Sequence, residues 1–248
     1  MEKLDYLKAW RITEGSADIV VAVCDSGINA TLPEFIGKVL PGHNFIDNDG
    51  DTSPNTNHGT AVASYVAAEY NSRNGASGIA PGVKILPGKI VNKRYGVPQK
   101  AMLGCIRWAA DQGAKVINVS MTGVNNRSSA SAARYANKKG AIVVWAAGNQ
   151  NMHTKWKDKF EIIAVGGTDR NDKRYQAGRK YGSNTGDFVD IVAPGEDVYH
   201  LNRDGSYGRG NGTSYSSPIV AGVAALIYSL NPNFTPTEVL GFLNKGAT

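Results

Sequence analysis

The chain has 248 residues, 42 % of them hydrophobic and 19 % charged, a balance that suits one folded domain with a sizeable core and excludes a disordered or fibrous protein. Its net charge of +6 is compatible with nucleic acid, an anionic surface or an acidic substrate. No arginine cluster interleaved with aromatics and no zinc-finger spacing accompanies it, so a solvated basic face is expected and a nucleic-acid partner is not.

From the N-terminus, Met1–Lys8 lacks the apolar core of a signal peptide, which leaves two readings: a cytoplasmic protein, or the mature form of a secreted one. No run of eighteen apolar residues predicts a membrane-crossing helix. Strands are predicted at Ile19–Cys24, Val83–Val91, Lys115–Met121, Ala141–Ala147, Ile162–Gly166 and Phe188–Ala193. Most are continuous apolar runs, as strands buried on both faces should be. Helices are predicted at His58–Tyr70, Gln99–Gln112, Ser128–Lys139, Ser214–Leu230 and Thr235–Asn244, with Gly113 and Gly140 as stop signals. Asp204-Gly205 reads as a hairpin turn between Val198–Asn202 and Ser206–Gly208. Strand–helix–strand order at this spacing implies right-handed crossovers. The expected fold is a single α/β domain over residues 1–248, in three layers, with a mostly parallel central sheet and helices on both faces. Cys24 and Cys105 each sit in an apolar run, are too few for a disulfide framework, and are expected as buried thiols.

In such a sheet, functional groups gather beyond the carboxyl ends of the strands. Asp25 follows the first strand, and Asn149 follows Ala141–Ala147 through Gly148. Either residue also reads as an ordinary turn former. His58 opens a helix, where the dipole favours the neutral, basic imidazole. Ser214 follows Gly210-Asn211-Gly212-Thr213 and leads into an apolar helix, with Pro218 expected in its first turn. A plain N-cap is the competing reading of the serine, but a cap requires neither two preceding glycines nor so small-residue a helix.

Four segments, Val21–Ile28, His58-Gly59-Thr60, Ala146-Ala147-Gly148-Asn149 and Gly212-Thr213-Ser214 through Pro218, together resemble the subtilisin family of serine proteases, and in that order. The resemblance implies a serine endopeptidase working through an acyl-enzyme, with Ser214 as nucleophile, His58 as base, Asp25 as orienter and Asn149 as oxyanion donor. It also implies a polypeptide substrate bound as an added strand between Arg94-Tyr95-Gly96-Val97 and Ser120-Met121-Thr122-Gly123, beside Ala147 and Gly148. Thr122 stands where the family has glycine, which bears on the width of the specificity pocket. Lys155, Trp156, Lys157 and Lys159, with Lys93 and Arg94, form either a basic solvated rim or a preference for acidic substrates. Calcium is expected at Asp47, Asp49 and Asp51, whose clustered oxygens precede the histidine, with a weaker second site at Glu34. A monomer, a propeptide and secretion are further implications. The rival reading is a catalytically silent subtilisin-like binding module. An α/β-hydrolase is excluded by the missing Gly-x-Ser-x-Gly, and a zinc peptidase by the missing His-Glu-x-x-His.

Overall fold

The computed structural model describes residues 6–70, 77–92, 94, 96–155 and 162–247. Seven strands form one sheet: β1 (Val20–Asp25), β2 (His43–Asn44), β3 (Lys84–Lys89), β4 (Val116–Val119), β5 (Ile142–Ala146), β7 (Ile162–Thr168) and β11 (Ile191–Pro194). Their order is β11-β7-β5-β4-β1-β3-β2, and every pairing is parallel. Small two-stranded pairings lie outside it: β6 (His153–Thr154) with β10 (Thr185–Gly186), β8 (Gln176–Ala177) with β9 (Tyr181–Gly182), and β12 (Val198–Leu201) with β13 (Tyr207–Gly210). The last of these is the hairpin expected at Asp204-Gly205. The helices are α1 (Tyr6–Trp10), α2 (His58–Ala67), α3 (Gln99–Asp111), α4 (Arg127–Lys138), α5 (Thr213–Leu230) and α6 (Pro236–Gly246). Each predicted strand and helix has its counterpart, with ends shifted by a few residues.

Strand β1 lies in the interior of the sheet; β2 and β3 extend it to one edge, and β4, β5, β7 and β11 then extend it to the other. The reversal falls between β1 and β4, the place where open parallel sheets form their crevice. Side chains alternate along each strand, and in β1 the alternation divides two cores. Val21 and Val23 enter the core shared with α2 and α5, whereas Ala22 and Cys24 enter the core under α3 and α4. By the same alternation Asp25 belongs on the α2/α5 side.

Cys24 faces α3, where Cys105 lies in the buried stripe Ala101, Met102, Cys105, Ile106, Ala109. The two are joined in a disulfide across 81 residues, with Cα atoms 6.1 Å apart. The expectation of two free thiols is therefore corrected. Apolar flanks report burial but not which helix stripe lies opposite which strand face.

A second correction concerns Pro218. Because α5 already begins at Thr213, the proline is its sixth residue, inside the helix. Lacking an N–H, it removes the regular main-chain donor for the carbonyl four residues back, which belongs to Ser214. Helix α5 has the length and mean hydropathy (1.2) of a membrane span, but 67 % of it is buried, and it packs across β4, β5, β7 and α2, the setting of a core helix.

Candidate active site

Three helix and strand termini meet at the crevice. Asp25, the last residue of β1, is 1 % exposed. Helix α2 can bring its first turn against it because residue 59 is glycine: a Cβ there would lie 2.2 Å from the Gly27 carbonyl. The Ser26 hydroxyl fastens the junction, accepting from the Gly59 N–H and the Thr56 hydroxyl, each at 2.9 Å. His58, the first residue of α2, is thereby held with Nδ1 2.9 Å from both carboxylate oxygens of Asp25. Nδ1–H donates to the carboxylate, so Nε2 carries the free lone pair.

Burial pushes the His58 pKa down, but the charge of Asp25 and its hydrogen bond outweigh this, and the net shift is upward. The lowering expected from the helix start is thus overridden by the carboxylate. Tyr215 lies 5.9 Å from the His58 ring and stacks on buried His200 at 5.3 Å. Burial lowers the pKa of His200, and the neighbouring His58 lowers it further.

Ser214 is the second residue of α5. Gly212, before the helix, has φ +134°, and a Cβ on it would meet Asn149 Nδ2 at 2.9 Å, so glycine is what admits the asparagine. Asn149 Oδ1 accepts from the Thr213 N–H at 2.8 Å and the Thr213 hydroxyl at 3.0 Å. With its acceptor end taken, the amide keeps Nδ2 as a donor for the cleft. Thr213 also receives the Gly148 N–H at 3.1 Å. Sequence reasoning misses this orienting role of Thr213, although the residue lies inside Gly-Thr-Ser. On the other side of the helix start, the Ser217 hydroxyl donates to Asn118 Oδ1 at 2.6 Å, and Asn118 Nδ2 donates to Ser120 Oγ at 2.9 Å. That buried chain ties α5 to the end of β4.

The cleft, about 360 Å³, is lined by His58, Ser214, Asn149, Gly148, Ala146, Ser120, Met121, Thr122, Thr213, Tyr215, Tyr181 and Asn211. Asp25, His58, Ser214 and Asn149 therefore meet in one place, the carboxylate behind the imidazole. Of the expected substrate-binding residues, Ser120, Met121, Thr122 and Gly148 line the cleft. Ala147 is buried, and Gly123, Arg94, Gly96 and Val97 are not among the lining residues. Tyr95, Lys93, Trp156, Lys157 and Lys159 lie outside the described residues.

The subtilase family matches residues 16–248. The chain is a member of the subtilase family. Among relatives of this subtilase, it is 39 % identical over 228 residues to a thermophilic serine proteinase of Bacillus sp. (strain AK1), covering 91 % of this chain and 56 % of that one. With thermitase of Thermoactinomyces vulgaris the identity is 37 %, over 92 % of this chain and 81 % of the relative. The chain thus spans about half the length of the Bacillus proteinase. Among solved structures, a cold-adapted subtilisin-like serine proteinase superposes with a TM-score of 0.82 at 30 % identity, over 94 % of this chain and 83 % of the other.

Two of the carboxylates expected on calcium, Asp47 and Asp49, meet around the Asn44 amide. Asn44 Nδ2 donates to Asp47 Oδ2 at 3.1 Å and to Asp49 Oδ1 at 3.0 Å, placing a donor between two oxygens that a cation would have to bridge. Asp49 and Asp51 are further occupied by the N–H groups of Asp51 and Ser53. Among the described residues no group of three or more His, Cys, Asp or Glu is placed to hold a metal. As arranged, this turn does not fit calcium. Glu34 is buried and accepts the Tyr207 hydroxyl at 2.6 Å. Part of its expected partner loop, residues 71–76, lies outside the described residues.

Proposed function

We propose that this subtilase domain is a serine endopeptidase that hydrolyses polypeptides through an acyl-enzyme. The carrying observation is the His58 imidazole, oriented through Nδ1 by buried Asp25 and opening on the same cleft as Ser214. In this reading His58 Nε2 takes the proton of the Ser214 hydroxyl as its oxygen attacks the scissile carbonyl. The imidazolium formed is stabilised by Asp25. Asn149 Nδ2 and the Ser214 N–H donate to the oxyanion. His58 then returns the proton to the leaving amine, and water, deprotonated by the same base, releases the acyl group. The acyl half of the substrate lies along Ser120–Thr122, as an added strand.

A fluorophosphonate reagent should label the domain at one site and fail to label Ser214→Ala. No labelling of the wild type would favour a silent binding module. Asn149→Ala is expected to lower kcat by about 10²–10³-fold with little change in KM, a scale set by subtilisin itself.

We place the working compartment outside the cytoplasm, because the Cys24–Cys105 disulfide persists in oxidising surroundings. Subtilases generally bind calcium, but the closed Asp47–Asp51 turn is expected to contribute little through it. Any rise in melting temperature with calcium over chelator should therefore be the same in Asp49→Ala as in the wild type. A rise of several degrees in calcium, abolished by Asp49→Ala, would show that the turn reorganises around the ion.

A further inference from the structure

The cleft is also lined by Tyr181, which sits on an exposed hairpin. Strands β8 and β9 form its arms, and Gly178, Arg179 and Lys180 its tip. The hairpin is fastened to the segment that carries the oxyanion donor. Gly182 N–H donates to the Asn149 carbonyl at 3.1 Å, and Asn151 N–H to the Gly182 carbonyl at 3.0 Å. Asn151 Nδ2 reaches the Arg179 carbonyl at 3.0 Å, and the Arg174 guanidinium donates to Asn151 Oδ1. The Tyr181 hydroxyl spans to the Asn211 carbonyl at 3.4 Å. The hairpin is therefore held against the Asn149–Asn151 segment, with Tyr181 in the cleft that Ser214 also lines.

Its charge is one-sided. Residues 169–182 contain Arg170, Lys173, Arg174, Arg179 and Lys180 against Asp169 and Asp172. Asp169 is taken up by the backbone N–H groups of Asn171 and Lys173. Nearby Asp197 is held by Arg209 at 2.6 Å and Arg170 at 3.5 Å. Another neighbouring carboxylate, Glu196, acts on Tyr175. No carboxylate among the described residues pairs with Arg179 or Lys180, and both are exposed.

The geometry points to this hairpin as a specificity element: Arg179 and Lys180 select polypeptides that carry aspartate or glutamate within the first few residues beyond the cut. The inference rests on the hydrolase reading, with the acyl half along Ser120–Thr122, so that the leaving half crosses Tyr181 and Asn211. Charges placed around a cleft act on encounter and on register more than on the chemical step. The selection should therefore appear in kcat/KM and fade with salt.

The test uses matched peptides carrying Asp, Ala or Lys at positions one to three after the cut, with the cleavage site mapped by mass spectrometry. At low salt the wild type should cleave the Asp peptide about 3- to 10-fold faster in kcat/KM than the Lys peptide, for at least one position. The ratio should approach one in 1 M salt, where the screening length is about 3 Å. Arg179→Glu with Lys180→Glu should invert the order, read as the ratio of Asp-peptide to Lys-peptide kcat/KM within each enzyme. Equal wild-type rates, or a preference that survives the double reversal, overturns the selectivity alone. An Ala peptide left uncut, or cut equally by Ser214→Ala, instead sinks the hydrolase reading and this inference with it.

Discussion

Replacing Ser214 by alanine is expected to lower kcat by about 10⁶-fold, His58→Ala by as much, and the double variant by little more. The scale is the one measured on subtilisin itself. The near-absence of additivity arises from the geometry. In the proposed mechanism the hydroxyl is a nucleophile only while His58 takes its proton, so removing either member would remove the same step. Single-turnover measurements on the three variants would decide it; losses that multiply would mean that the two groups act independently.

On the proposed mechanism the same site should set the acid limb of activity. His58 must be neutral to act as base, and its pKa lies above the ordinary 6.5, because Asp25 outweighs burial. Rates in kcat/KM should therefore fall as the pH drops through a value above 6.5. Asp25→Asn should move that limb to lower pH while costing about 10⁴-fold in kcat. The contribution to stability has the opposite pH sense. A histidine whose pKa is raised on folding stabilises the native state fully below its unfolded value, and that contribution is lost as pH rises through the folded value. The pair thus favours folding on the side where the base is inactive.

Removal of the disulfide is expected to have the largest effect on stability. Closing a loop of 81 residues removes chain entropy from the unfolded state worth about 4–5 kcal/mol. For a domain of this size, Cys24→Ala with Cys105→Ala should lower Tm by about 10–15 °C. Cys24 immediately precedes Asp25, and the bond anchors the end of β1 to α3. Both cysteines are fully buried, so reductant alone should act slowly on the folded protein. Titration of the denatured, unreduced protein should find no free thiol. Two thiols, or an unchanged Tm in the double variant, would show that the bond does not form.

Much of this is readable in the chain. Buried parallel strands carry continuous apolar runs, and glycine and proline positions delimit helices, so Val21–Cys24, Ile142–Ala146 and the apolar stretch of α5 declare themselves through local composition. Asp25, His58, Asn149 and Ser214 stand out because each follows or opens such an element within a compact motif. Missing from local pattern is everything that depends on which face meets which. The alternation in β1 sends Cys24 toward α3 and Asp25 toward α2, but only the packed helices reveal that Cys105 and His58 wait there. The arrangement of the expected calcium ligands is also decided by packing: Asp47, Asp49 and Asp51 have the right composition, but the Asn44 amide donates to two of them in this structure. The anchoring of Tyr181, Arg179 and Lys180 beside Asn149 likewise comes from hydrogen bonds between segments some thirty residues apart. Periodicity and turn chemistry act over a few neighbouring residues, which is why the elements and candidate side chains can be named from the chain alone. Distances between those side chains arise from long-range packing, and the physics that sets them operates only once the sheet and its two helical layers have closed.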